Sequence, residues 1–122
     1  MHTVIVPTED WATVEIADLT NREPLHDNNH TLTCIVNVDP GLNIDPEVHW
    51  YLPDGTLVGV VGQVREGSQV STGLKTKREL YFSPLLHGHG GEYTCEAKIH
   101  IPWMTTQPVS DTYKMVVTSK TI

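Results

Sequence analysis

The stretch Gly91-Glu92-Tyr93-Thr94-Cys95-Glu96-Ala97-Lys98-Ile99 puts Tyr93, Cys95, Ala97 and Ile99 on one parity and Glu92, Thr94, Glu96 and Lys98 on the other. Successive side chains of a strand point to opposite faces, so this alternation describes a strand with one buried face and one wholly polar face. The stretch His30 to Val38 repeats the pattern, with Leu32, Cys34, Val36 and Val38 on one parity and Ile35 as the exception. Cys34 and Cys95 are the only cysteines, and both read as inward. Two inward cysteines on strands distant in sequence bridge only where those strands face one another across a core, because the α-carbons must come within about 7 Å. The alternative is two unrelated buried thiols, and the alternation does not choose between them. A bridge would close a long loop, credited with about 4 kcal/mol on the chain-entropy account. It would persist in an oxidising compartment, outside the cell or along the secretory route.

Working outward, Glu47 to Leu52 alternates with Val48, Trp50 and Leu52 on one parity and ends at Pro53-Asp54-Gly55-Thr56. That tetrapeptide is a turn by its chemistry, since proline presets one dihedral and glycine accepts positive ones. Thr56 to Val64, broken by Gly59 and Gly62, predicts a short irregular edge strand. Gln69 to Thr72 predicts another, and Arg78 to Phe82 a further one that Ser83-Pro84 stops. His87-Gly88-His89-Gly90-Gly91 is a connection. Thr13 to Ile16 and Tyr113 to Thr118 complete the set of strands at the two ends. Amphipathic-helix spacing is nearly absent, while eight prolines and nine glycines recur at intervals that suit turns between short strands. The fold class is therefore all-β, an antiparallel two-sheet sandwich.

The chain has 122 residues, enough for one core and too few for a scaffold plus an elaborate active site. We read a single domain over 1–122 with its core at about 12–118. Eight Lys plus Arg against fifteen Asp plus Glu give a net charge of −7, which argues against nucleic acid and against direct contact with an anionic membrane, since both recruit Lys and Arg. No window approaches the roughly eighteen apolar residues of a membrane span, and no signal-like apolar run follows Met1-His2-Thr3. The expectation is a soluble piece. Gly-x-Ser-x-Gly, phosphate-loop and His-Glu-x-x-His motifs are absent from the sequence, and the expectation is a non-enzyme without cofactor.

Cys34, Trp50, Leu80 and Gly91-Glu92-Tyr93-Thr94-Cys95, in that order and at these spacings, resemble the signature of the immunoglobulin superfamily over about Val14 to Val117. The resemblance implies an immunoglobulin-like sandwich with one inter-sheet disulfide between Cys34 and Cys95. It also implies that Trp50 lies against that bridge and that the Tyr93 hydroxyl bonds back to backbone upstream of its own strand. The family usually has an acidic residue four positions before this tyrosine, paired with a base; here His89 stands there, which predicts that Arg65 or a neighbour lacks its usual partner and that His89→Asp raises the melting temperature. The cysteine spacing leaves room for an extra strand after the Pro53-Asp54-Gly55 turn, which implies an intermediate or variable-like set. No Phe-Gly-x-Gly follows Val109, so the resemblance points away from antigen receptors. It points to adhesion molecules and cell-surface receptors, receptor kinases included, with the domain outside the cell on a membrane-anchored parent.

Among candidate sites, Asn29-His30-Thr31 is the one glycosylation sequon. Trp103 and Met104, in the proline-flanked connection Ile101 to Pro108, are the candidate binding loop, because aromatic and Met side chains on a stiffened loop make good docking anchors; the alternative is that Trp103 folds back over the sandwich edge as local core. Trp11 is read as local core. Lys75, Lys77 and Arg78, with Arg65, form a basic cluster read mainly as a solvated strand face. His87-Gly88-His89 falls short of the ligands a closed zinc site needs, and Asp39, Asp45 and Glu47 match no calcium loop, so no metal is expected. The expected function is recognition of a protein partner through loops or a sheet face, with a homophilic dimerising module and a tandem spacer as alternatives.

Overall fold

The computed structural model describes residues 11–18, 27–39, 45–58, 60–61, 64–73, 75–100 and 107–118. Nine strands are assigned there: β1 (Ala12–Ala17), β2 (His30–Val38), β3 (Glu47–Tyr51), β4 (Val60–Val61), β5 (Val64–Glu66), β6 (Val70–Thr72), β7 (Lys75–Phe82), β8 (Gly91–Lys98) and β9 (Val109–Met115). They form two antiparallel sheets. One runs β1-β2-β7-β5-β4, with β6 also pairing β7; the other runs β3-β8-β9.

Register follows from the alternation. β2 lies against β7 with Leu32 opposite Leu80 and Cys34 opposite Arg78, and β3 lies against β8 with Trp50 opposite Cys95. The inward sets are Leu32, Cys34, Val36, Leu80 and Phe82 from the larger sheet and Val48, Trp50, Tyr93, Cys95 and Ala97 from the smaller, all buried. A one-residue slip in either strand would turn its whole apolar set to water. Cys34 and Cys95 are bonded, with α-carbons 6.3 Å apart, so one covalent bond ties the two sheets at the centre of the core.

Three expectations shift. The strand expected over Thr56 to Val64 is not continuous: Leu57 makes a single bridge to Tyr51, and the chain then joins the other sheet as β4 and β5. The last strand occupies Val109–Met115 and not Tyr113 to Thr118, because Val109 and Tyr113, with Asp111 between them, continue the inward parity that ends in buried Met115. β7 likewise begins at Lys75, three residues before the expected Arg78, since Thr76 is buried and bonded to Ser71 at 3.1 Å.

Candidate functional site

The signature residues lie together around the bridge. Trp50 is fully buried, and its indole N–H donates to the carbonyl of Arg78 across the sandwich at 3.0 Å. That bond satisfies the one polar atom a buried tryptophan brings with it. Leu80 is fully buried beside it. Gly91 has φ +138°, and a Cβ there would meet the Pro53 ring at 2.8 Å, so both conformation and space demand glycine where the Pro53 turn packs on the start of β8. The Tyr93 hydroxyl donates to the His89 carbonyl at 2.5 Å, and its ring meets Phe82 edge-on at 5.3 Å. Burial pushes the Tyr93 phenol up to about 12.

His89 sits in a one-turn 3-10 helix, His87–His89. Its Nδ1 accepts the Leu86 backbone N–H at 2.9 Å, its ring lies 5.6 Å from that of Phe82, and burial lowers its pKa, favouring the neutral ring that this acceptor role requires. Arg65 does not wait opposite it: its guanidinium lies over the Tyr81 ring, 5.7 Å from the centroid, which supplies a cation–π partner in place of the carboxylate. The expectation of a stranded arginine at the base of the sandwich is corrected on that ground.

The basic cluster divides. Lys75 and Lys77 are exposed on β7 beside Val70 and Thr72, whereas Arg78 turns inward. Arg78 belongs to a polar set that the sequence did not announce. Its Nε donates to the Gly67 carbonyl and its Nη1 to the Val48 carbonyl, both at 2.8 Å, and its Nη2 lies 3.7 Å from Glu66 Oε1. Glu66 Oε2 accepts the Trp50 N–H at 2.5 Å. Gln69 accepts the Val48 N–H at 3.0 Å and donates to the Pro46 carbonyl at 2.7 Å. The backbone itself continues the series, with Val58 N–H on the Trp50 carbonyl at 3.0 Å and Leu52 N–H on the Thr56 carbonyl at 2.8 Å. From Pro46 to Leu52 the free edge of β3 is thus closed mostly by side chains of β5, β7 and the residues between β5 and β6. The only signal for this in the sequence was polar residues recurring where a strand was expected.

The outer face of β3, β8 and β9 is polar. Glu47 stands opposite Lys98, and Glu92 opposite Lys114. Near its centre the Tyr51 hydroxyl donates to Glu96 at 3.2 Å, and burial, with the Glu96 carboxylate and this bond adding to it, raises the Tyr51 pKa. At the β1 margin, Trp11 is fully buried with its indole N–H on the Gln107 carbonyl at 2.8 Å, and the Ile16 N–H donates to Asp111 at 3.0 Å, joining the two sheets along that side. His30, buried at the start of β2, lies 2.8 Å from Asp18, which also accepts the Tyr113 hydroxyl at 3.3 Å. Among the described residues no group of three or more His, Cys, Asp or Glu is placed to hold a metal ion. Trp103 and Met104 lie outside the described residues; the strands that flank their loop, β8 and β9, run antiparallel.

A two-sheet antiparallel sandwich, pinned by one inter-sheet disulfide with a tryptophan beside it and a tyrosine corner, defines an immunoglobulin-like domain. Comparison with known proteins agrees. Mouse immunoglobulin superfamily member 10 is 30% identical over 103 residues, 71% of this chain and 4% of that protein. Mouse hemicentin-2 is 36% identical over 86 residues, 69% of this chain and 2% of its own length. The chain therefore spans only a few per cent of the curated relatives it matches. Of solved structures, a chain from the crystal structure of Dpr2 Ig1-Ig2 in complex with DIP-Theta Ig1-Ig3 superposes with TM-score 0.62 at 16% identity, covering 86% of this chain and 32% of that one. The BTLA ectodomain superposes with TM-score 0.59 at 14% identity, covering 89% and 98%. No family model matches the chain. The chain is an immunoglobulin superfamily domain.

Proposed function

We propose that the chain is a single extracellular recognition domain of a cell-surface receptor or adhesion protein, binding a protein partner. The observation that supports this best is the likeness, over 86% of the chain, to an immunoglobulin chain solved in a complex between two multi-domain proteins. The rigid frame fits the role: a bridge, a tyrosine corner and a side-chain-closed edge fix the sandwich, so loops between strands can present contacts at little entropic cost. The β8–β9 connection carries Trp103 and Met104, and we assign the docking contact to it, with the outer face of β3, β8 and β9 as its flank. In this reading the domain carries no catalysis and takes no cofactor.

The test starts with sedimentation equilibrium of the oxidised chain over a wide concentration range, followed by a screen against cell-surface ectodomains. The expected result is a monomer with a separate partner, whose binding Trp103→Ala weakens about 30-fold or more, as for an anchor residue, with the far-ultraviolet spectrum unchanged. Dimerisation at micromolar concentration would replace this reading with a homophilic one. A spacer role is the second reading, favoured by the small share of its relatives that the chain spans; a monomer with no partner in the screen would point there.

A further inference from the structure

We propose that Asn29 carries an N-linked glycan, which stands at the lower corner of the larger sheet and confines docking to the remainder of the surface. The proposal rests on the extracellular reading above, because only a chain that enters the secretory route meets the transferring enzyme. Sequons arise by chance, so Asn29-His30-Thr31 alone would not carry it. Three features of the structure do.

Asn29 is exposed and lies just before β2, and the next residue, His30, is buried at 3%. With His30 turned into the sandwich, Asn29 and Thr31 share the outward parity, so acceptor and hydroxyl residue both lie on the solvent side. The backbone leading to the acceptor is held: Asp27 N–H donates to the Leu85 carbonyl at 2.7 Å, and Leu85 N–H donates to the Asn28 carbonyl at 2.8 Å. Asp27 takes φ 75°, which turns the chain sharply into this ladder. The sequon therefore leaves a fixed turn in an extended conformation. Finally, its neighbour is polar. Exposed Ser83 on the adjoining β7–β8 connection directs its hydroxyl at Asn29 Oδ1 over 3.5 Å, which leaves the amide nitrogen, the atom that would bear the sugar, on the other side of the planar group. Among the described residues, the Asn29 side-chain bond that a glycan would disturb is this exposed one to Ser83.

Position gives the site its consequence. β2 begins where β7 ends, since His30 pairs Phe82, and both lie in the larger sheet. The β8–β9 connection follows Lys98, at the far end of β8 from Gly91. A glycan on Asn29 therefore crowds the outer face of the larger sheet at its lower end. The outer face of β3, β8 and β9 belongs to the other sheet, and the Lys98 end of β8, from which the docking connection assigned above departs, lies at the opposite end of the sandwich.

The experiment is secretion of the full chain from cultured animal cells behind a cleavable leader. Intact mass is measured before and after peptide N-glycosidase, with a thiol count alongside. The expected result is a mass excess removed by the enzyme, with aspartate found at position 29 in the released peptide. The excess is absent from Asn29→Gln and retained in Thr31→Ser, which keeps the sequon. Asn29 is exposed, so Asn29→Gln should be secreted as well as the parent. A secreted chain without free thiols and without a mass excess would overturn the glycan while leaving the extracellular reading in place. Retention in the cell with free thiols would overturn both.

Discussion

Replacing Glu66 tests whether the side-chain-closed edge of β3 stabilises the fold or merely decorates it. The Glu66 side chain is only 6% exposed, yet it accepts the backbone N–H of Trp50, the residue at the centre of the core. Glu66→Ala leaves that N–H without its acceptor, a loss of about 1–3 kcal/mol for a buried donor. It also removes the carboxylate 3.7 Å from Arg78, whose side chain is 20% exposed. A fully buried broken pair costs about 3–5 kcal/mol, but Arg78 keeps its bonds to the Val48 and Gly67 carbonyls and some water, so the charge contribution is nearer 1 kcal/mol. The expected loss is about 2–4 kcal/mol, or a fall in melting temperature of about 6–16 °C for a domain of this size. Glu66→Gln keeps an oxygen for Trp50 and loses only the charge, so it should cost about 1 kcal/mol. Urea unfolding at pH 7 and low salt, followed by tryptophan fluorescence, measures all three proteins. A loss under about 0.5 kcal/mol for the alanine variant would refute the reasoning, since that is the cost of an ordinary solvated pair. Equal losses for alanine and glutamine would refute the acceptor role and leave only charge.

Four further outcomes are expected. All four tyrosines have phenols raised above their ordinary value, Tyr93 to about 12 by burial, so the folded state favours the neutral form; stability should hold below pH 10 and fall as pH rises from 10 toward 12, and Tyr93→Phe should flatten that fall while losing about 1 kcal/mol at neutral pH. Removing the bridge with paired alanines at Cys34 and Cys95 opens a link across 61 residues and should cost about 4 kcal/mol, read as a drop in urea midpoint. His89→Asp should give no rise in melting temperature, because Arg65 already lies over Tyr81 and the new carboxylate would stand half-buried beside Phe82. In the parent protein, His89 contributes most above its unfolded pKa near 6.5 and less as pH falls below it, so thermal scans at pH 7 and pH 5 should converge when His89 becomes Gln.

The sandwich was legible because period-two alternation is a local property, and the stretches bearing Cys34, Trp50 and Cys95 carry it almost without exception. Strand ends were less so. β9 starts at Val109 and β7 at Lys75 because pairing with a neighbour, not local composition, decides where a strand begins. The edge of β3 was illegible for a related reason: Glu66, Gln69 and Arg78 are residues whose charged or polar type assigns them to solvent, and only the approach of the two sheets at that margin gives them buried backbone partners. Adjacency groups Arg78 with Lys75 and Lys77, although alternate parity sends it to the opposite face. Trp11, whose environment depends on Gln107 almost a full chain away, could be read as core but not given its partner. Of the candidate site, Trp103 and Met104 lie outside the described residues, so their role rests on residue type.

A ladder between two backbones is indifferent to the side chains it joins, and drift along such a strand seldom breaks it. The margin of β3 has no such tolerance, because three residues from elsewhere in the chain do what a neighbouring strand would otherwise do. Substitutions at Glu66, Gln69 and Arg78 that leave the domain folded would still bare a row of amides and carbonyls to any extended segment that passes. Self-association through fibrils or exchanged strands is then the fate of a partly repaired variant, and these three positions should tolerate fewer replacements than their modest place outside the core would imply.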